Sequence, residues 1–101
     1  MSIVRVRISG DSMWPTYPEG TEFELLPNDS NPPSIGDVII AKHPFHSNIQ
    51  IVKRIQSIDG EMVFLIGDNP DPTASEDSHN FGRIHLDAIL GVCVPRDEYD
   101  D

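Results

Sequence analysis

Apolar residues recur at every second position along much of this chain, the spacing at which side chains alternate across a β-strand. In "IVRVRI" (residues 3–8), Val4, Val6 and Ile8 oppose Arg5 and Arg7, which predicts a half-buried strand ended by Gly10. "EFELL" (22–26) reads as a short strand, and "VIIAK" (38–42), almost continuously apolar, as a buried one. The run from Ile49 to Ile58 meets "EMVFLI" (61–66) across Asp59 and Gly60, a pair suited to the positive φ angles of a hairpin turn. "LDAIL" (86–90) suggests one helical turn, and "GVCVP" (91–95) a closing strand. Between these lie three loops rich in Pro, Gly, Asp and Ser: "GDSMWPTYPEGT", "PNDSNPPSIGD" and "GDNPDPTASEDSHNFGR". The pattern predicts a mainly β fold without internal repeats.

One strand breaks its own pattern. In "IQIVKRIQ" (49–56), Ile49, Ile51, Lys53 and Ile55 share a face, while Arg54 points the other way with Gln50 and Gln56, toward water. An ammonium surrounded by apolar side chains loses hydration, so burial favours the neutral amine, which is a base. Such a base can take the proton of a serine hydroxyl, a feeble nucleophile without that help. The strand alone leaves a second reading open, in which Lys53 snorkels its ammonium to solvent over an aliphatic stem. The loop after the first strand offers a partner in Ser12, set between Gly10 and Pro15. Gly10 would admit close approach of a substrate backbone. Here too a plain reading stands beside the chemical one: Asp11 and Ser12 as turn residues, Met13 and Trp14 as a plug over the core.

Length and charge narrow the field. At 101 residues the chain is expected to be one domain (1–101, with 96–101 a frayed tail), large enough to bury roughly two thirds of its unfolded surface. Seventeen acidic against seven basic residues give a net charge of −10, which repels polyanions, so nucleic acid is not expected as a partner. Neither an apolar span of membrane length nor the h-region of a secretory signal is seen, which predicts a cytoplasmic protein. Cys93 stands alone and reads as a small buried hydrophobe. Of the four histidines at 43, 46, 79 and 85, His43 and His46 flank Pro44 and Phe45 in a loop with no cysteine or carboxylate close by and read as solvated loop residues, and the acidic stretch from Asp68 to Asp77 lacks the spacing of a calcium loop, so no metal and no cofactor are expected.

Taken together, "GDSMWPT", "GDVIIAK", "IVKRI" and "GDNPDPTASEDS" resemble, in order, the conserved boxes of the type I signal peptidase family of Ser/Lys proteases (S26/S24 type). The resemblance spans most of residues 8–92. It implies a small signal-peptidase/LexA-like catalytic β fold and a serine endopeptidase in which Ser12 is the nucleophile and Lys53 the general base. It further implies that Ser75 orients the amine, that Asp77 and Ser78 support the site, and that Gly67, Asp68 and Asn69 open the last box. The N–H of Ser12 would stabilise the oxyanion, with Gly10, Met13 and Trp14 as groove candidates. Two departures stand out: two extra residues between Asn69 and Ser75, and His79 where arginine is usual, which weakens the cation expected beside Asp77 above about pH 6.5. No membrane anchor or second β-rich insertion is recognised, which implies a precursor protein or peptide in solution as substrate. Small members of this kind include proteases that mature nickel-type superoxide dismutase by removing a leader, and this chain looks like one of those. Two alternatives remain: a LexA/UmuD-type self-cleaving domain, although only eleven residues precede Ser12, and a catalytically silent peptide-binding module of the same fold.

Overall fold

In a computed structural model, residues 4–27, 32–46, 48–71, 73 and 76–95 are described. Seven strands form one antiparallel sheet: β1 (Val4–Arg7), β2 (Glu22–Leu26), β3 (Val38–Lys42), β4 (Gln50–Asp59), β5 (Met62–Ile66), β6 (Ile84–His85) and β7 (Ile89–Pro95), in the order β1-β2-β7-β3-β4-β5-β6. The expected mainly β architecture is the observed one. The chain-distant β7 enters between β2 and β3, and its register against β3 shifts between Ile40 and Ala41.

Two apolar clusters cover the two faces of this sheet. Strand β3 explains how, since its neighbours alternate between them: Ile39 and Ala41 join Ile55, Val63, Leu65, Ile84 and Ile89, whereas Val38 and Ile40 join Ile8, Met13, Phe23 and Cys93. A strand buried on both sides shows no polar alternation, which is why "VIIAK" reads as a continuous apolar run. Burial pushes the Cys93 thiol up to about 12, so this residue is an inert core group, as expected.

The hairpin between β4 and β5 forms with a one-residue shift from the expected turn. Asp59 pairs with Met62, leaving Gly60 and Glu61 as the connecting residues. Gly60 has φ 61°, the sign that the first position of a type II′ turn requires. A register shift between Ile55 and Ser57 restores the apolar alternation farther along β4.

Two elements lie where sequence patterning predicts only loop. A four-residue helix, α1 (Ser78–Phe81), follows Asp77, and the two-residue β6 pairs with β5. Both are too short to repeat their own period and so leave no pattern in the sequence. The helical turn expected in "LDAIL" is a 3₁₀ turn over Leu86–Ala88, with Ile89 and Leu90 already in β7. The tail 96–101 lies outside the described residues, and no described helix is long and apolar enough to cross a membrane.

Candidate active site

The loop between β1 and β2 is tied down at both ends before it presents Ser12. Ile8 N–H donates to Thr21 C=O (3.0 Å) and Gly20 N–H to Ile8 C=O (2.9 Å), so the chain leaves and re-enters the sheet at one point. Met13 anchors the middle: it is fully enclosed in the cluster around Phe23, and its carbonyl accepts from Tyr17 N–H at 2.8 Å. Met13 is therefore a core residue, a correction to its expected place in the groove, because a thioether chain among apolar neighbours gains more by burial than by facing water. Trp14, next to it, is 48% exposed and borders a shallow depression with Asp11, Asn69, Pro70 and Asp71. Gly10 has φ +89°, a backbone state that residues with a Cβ rarely adopt.

A second segment fixes the peptide plane at Ser12. Asn69 donates its backbone N–H to Ser12 C=O (3.0 Å) and its side-chain Nδ2 to Asp11 C=O (2.8 Å). Across a trans peptide the N–H points opposite to the carbonyl, so holding the Asp11 oxygen also aims the Ser12 N–H. Asp68, one residue earlier, takes a bidentate pair from Arg54 (2.9 and 2.7 Å) and a bond from Thr16. These bonds, opposed by burial, hold the Asp68 carboxyl below its usual range. Arg54 also donates to Gly36 C=O at 2.8 Å. Its guanidinium, expected to face water, is instead a rivet joining β4, the turn before β3 and the segment after β5, which in turn holds the Ser12 loop through Thr16 and Asn69.

Lys53 pairs with Ile39 in the β3–β4 ladder and is only 4% exposed. Desolvation by burial lowers its pKa from the ordinary 10.5, while the negative charges of Asp77 and Glu76 act in the opposite direction and only partly offset it. The snorkelling reading is thereby excluded. Ser12 and Lys53 line one open cleft of about 330 Å³ with Gly10, Asp11, His43 and Glu76, and apolar Ile8, Ile40 and Val52 complete its lining.

Asp77 and Ser78, at the start of α1, bond to the end of β5. The Ser78 hydroxyl, buried, accepts from Leu65 N–H at 2.8 Å, and the Asp77 carboxylate accepts from Gly67 N–H at 3.2 Å, which docks the start of α1 on the end of β5. Asp77 is also the N-cap of α1: it accepts from His79 N–H (2.9 Å), while its own N–H donates to the Asn80 side chain (3.1 Å). Burial pushes the Asp77 carboxyl up, but the N–H donors of His79 and Gly67 together with the His79 ring outweigh it and hold the group below its usual range. His79 Nδ1 lies 3.0 Å from Asp77 Oδ1, so histidine keeps the contact at the position where arginine was expected. Ser75, expected to orient the amine, and the adjoining two-residue insertion fall largely outside the described residues.

His43 is the site residue that patterning misread. Expected in a solvated loop, it is 7% exposed, lines the cleft and contacts Glu76 at 2.6 Å. The signal available was its position directly after β3, a strand whose first four residues are buried. Among the described residues, no group of three or more metal-binding side chains comes together.

A family model described as "Peptidase S24-like" matches residues 2–93. The chain is also 35% identical over 113 residues to the mitochondrial inner membrane protease subunit 1 of Schizosaccharomyces pombe, an alignment covering 87% of this chain and 69% of the relative. With nearly its whole length matched, the chain belongs to the peptidase S24-like family.

Proposed function

We propose that this protein is a serine endopeptidase that uses Ser12 as nucleophile and Lys53 as general base. The observation carrying this reading is a buried lysine, only 4% exposed, that lines the same cleft as Ser12. A neutral Lys53 Nζ takes the Ser12 hydroxyl proton as Oγ bonds to the scissile carbonyl carbon. The resulting oxyanion meets the N–H of Ser12, whose direction Asn69 sets. Collapse breaks the C–N bond, and the leaving amine receives the proton from the Lys53 ammonium. Lys53, neutral again, then takes a proton from water as the hydroxide oxygen attacks the ester, and returning that proton to Oγ restores Ser12.

A precursor protein with an N-terminal leader is the substrate class this reading favours, and a nickel-type superoxide dismutase precursor is the first to try. Support for that choice is the resemblance of "GDSMWPT" and its companion boxes alone. The test is intact-mass analysis after exposure to a penem or similar serine-acylating probe. Wild type should gain one adduct at Ser12, and Ser12→Ala and Lys53→Met should gain none. A wild-type chain that stays unmodified, although folded, overturns the reading in favour of a silent peptide-binding module. Spontaneous loss of an N-terminal fragment in the same spectra would instead identify a self-cleaving domain of LexA/UmuD type.

A further inference from the structure

His43 occupies an aromatic nest that needs no imidazole. It follows β3 directly, where its N–H donates to Ile49 C=O at 2.9 Å. Its ring packs against those of His46, Phe81 and Phe45, with centroids 4.9, 5.4 and 6.0 Å away. Phenylalanine would fill this space without a polar atom to satisfy. Both ring nitrogens are nonetheless engaged. Phe45 N–H donates to Nδ1 at 3.1 Å, so Nδ1 presents its lone pair and the hydrogen of the neutral ring sits on Nε2. That hydrogen is donated to Glu76 Oε1 at 2.6 Å.

Glu76 belongs to the segment between β5 and α1, one residue before Asp77. Its side chain is 63% exposed, so solvent is freely available to the carboxylate, yet one oxygen is bound at the cleft wall. Asp77 and Ser78 dock the same segment on the end of β5, and the His43 bond docks it on the end of β3. Adjacent residues Glu76 and Asp77 are therefore attached to two different strand ends, those of β3 and β5.

We propose that His43 is a positioning residue of the cleft: by clasping Glu76 it fixes that carboxylate, and the segment leading into Asp77, in the wall shared with Ser12 and Lys53. The inference rests on the peptidase reading of the cleft. It assigns the buried imidazole a task that a merely structural aromatic residue could also fill by volume but not by hydrogen bonding.

The experiment measures the rate at which a penem probe acylates Ser12 in wild type, His43→Phe, His43→Gln and Glu76→Ala, with thermal unfolding recorded for each. His43→Phe keeps the ring but loses both the donor to Glu76 and the acceptor for Phe45 N–H, and should acylate about tenfold more slowly while still unfolding cooperatively, the loss that a hydrogen bond to a charged group commonly carries. His43→Gln places an amide N–H near the position of Nε2 and should recover the rate to within about threefold of wild type. Glu76→Ala should match His43→Phe, and it carries the same expectation if His43→Phe does not fold. A His43→Phe rate equal to wild type overturns the proposal, as does a His43→Gln rate no better than His43→Phe. If wild type itself is not acylated, the peptidase reading fails and this role fails with it, a result distinct from a labelled wild type indifferent to residue 43.

Discussion

Replacing Lys53 with methionine removes the titrating group while nearly conserving the length and volume of the chain in its apolar surroundings. The depressed pKa makes a specific demand on stability. Between the pKa of Lys53 in the fold and its ordinary 10.5, the unfolded chain holds one more proton than the folded one. Wild type must then gain stability with rising pH by about 1.4 kcal/mol per pH unit relative to Lys53→Met. Above 10.5 both states are neutral and the difference curve is flat; below the folded pKa both are charged and it is flat again, at the full desolvation penalty. The sign is opposite to that of a lysine whose pKa folding raises: here stability is lost as pH falls through the window. Urea unfolding of the two proteins in parallel from pH 6 to 10.5 measures the difference, and titrations remote from residue 53 cancel. Lys53→Met should therefore be the more stable protein at neutral pH and the inactive one, and the rise in wild-type acylation with pH should sit at the lower end of the ramp. A difference curve flat throughout this range means that folding does not perturb the amine, and the general-base assignment goes with it.

Asn69→Ala should slow Ser12 acylation by roughly tenfold, about the worth of the lost bond to Asp11 C=O, with little change in fold as judged by circular dichroism. An unchanged rate would show that the Ser12 N–H is aimed by something other than Asn69. Gly91→Ala should destabilise the protein by about 1–3 kcal/mol or more, because the new Cβ would lie 2.6 Å from the Leu26 carbonyl oxygen and 2.8 Å from the Leu25 side chain. Thermal melting reads this directly, and an unaltered midpoint would contradict the close packing of β7 on β2.

Much of this fold is legible in the chain because the strands obey simple periods. β2 and β3 have the bounds that their apolar runs predict, and β4 and β5 meet at Gly60, where a positive φ is needed. What escapes is set by partners distant in sequence. α1 has only four residues, so no amphipathic repeat can announce it, and its existence depends on the Asp77 cap and the Ser78 bond to β5. His43 looks like a loop residue because its neighbours are Pro44 and Phe45, yet its burial is decided by Phe81 and Glu76, more than thirty positions away. Met13 shows the converse: adjacent to Ser12 in the chain, it turns into the core and leaves the surface to Trp14.

The adjacent cations of β4 show how one strand can serve both stability and chemistry. Alternation sends Lys53 and Arg54 to opposite faces. Arg54, always charged, needs acceptors and has them in Asp68 and Gly36, so its charge is satisfied at fixed geometry and pins to β4 the segment after β5, whose Asn69 holds the Ser12 loop. Exchanging the two residues would fail on both faces. A lysine at 54 could not form the bidentate pair, and a guanidinium at 53 could not shed its proton to suit the apolar row. The same rivet that fixes the scaffold thus sets where residue 53 stands relative to the Ser12 loop, and rigidity on the Arg54 face is what allows the opposite face to hold an unfavourably placed amine. Destabilisation caused by burying Lys53 and stabilisation from the Arg54–Asp68 pair are therefore expected to be linked: loosening the pair should let the strand shift, water reach the amine and its pKa climb back toward 10.5.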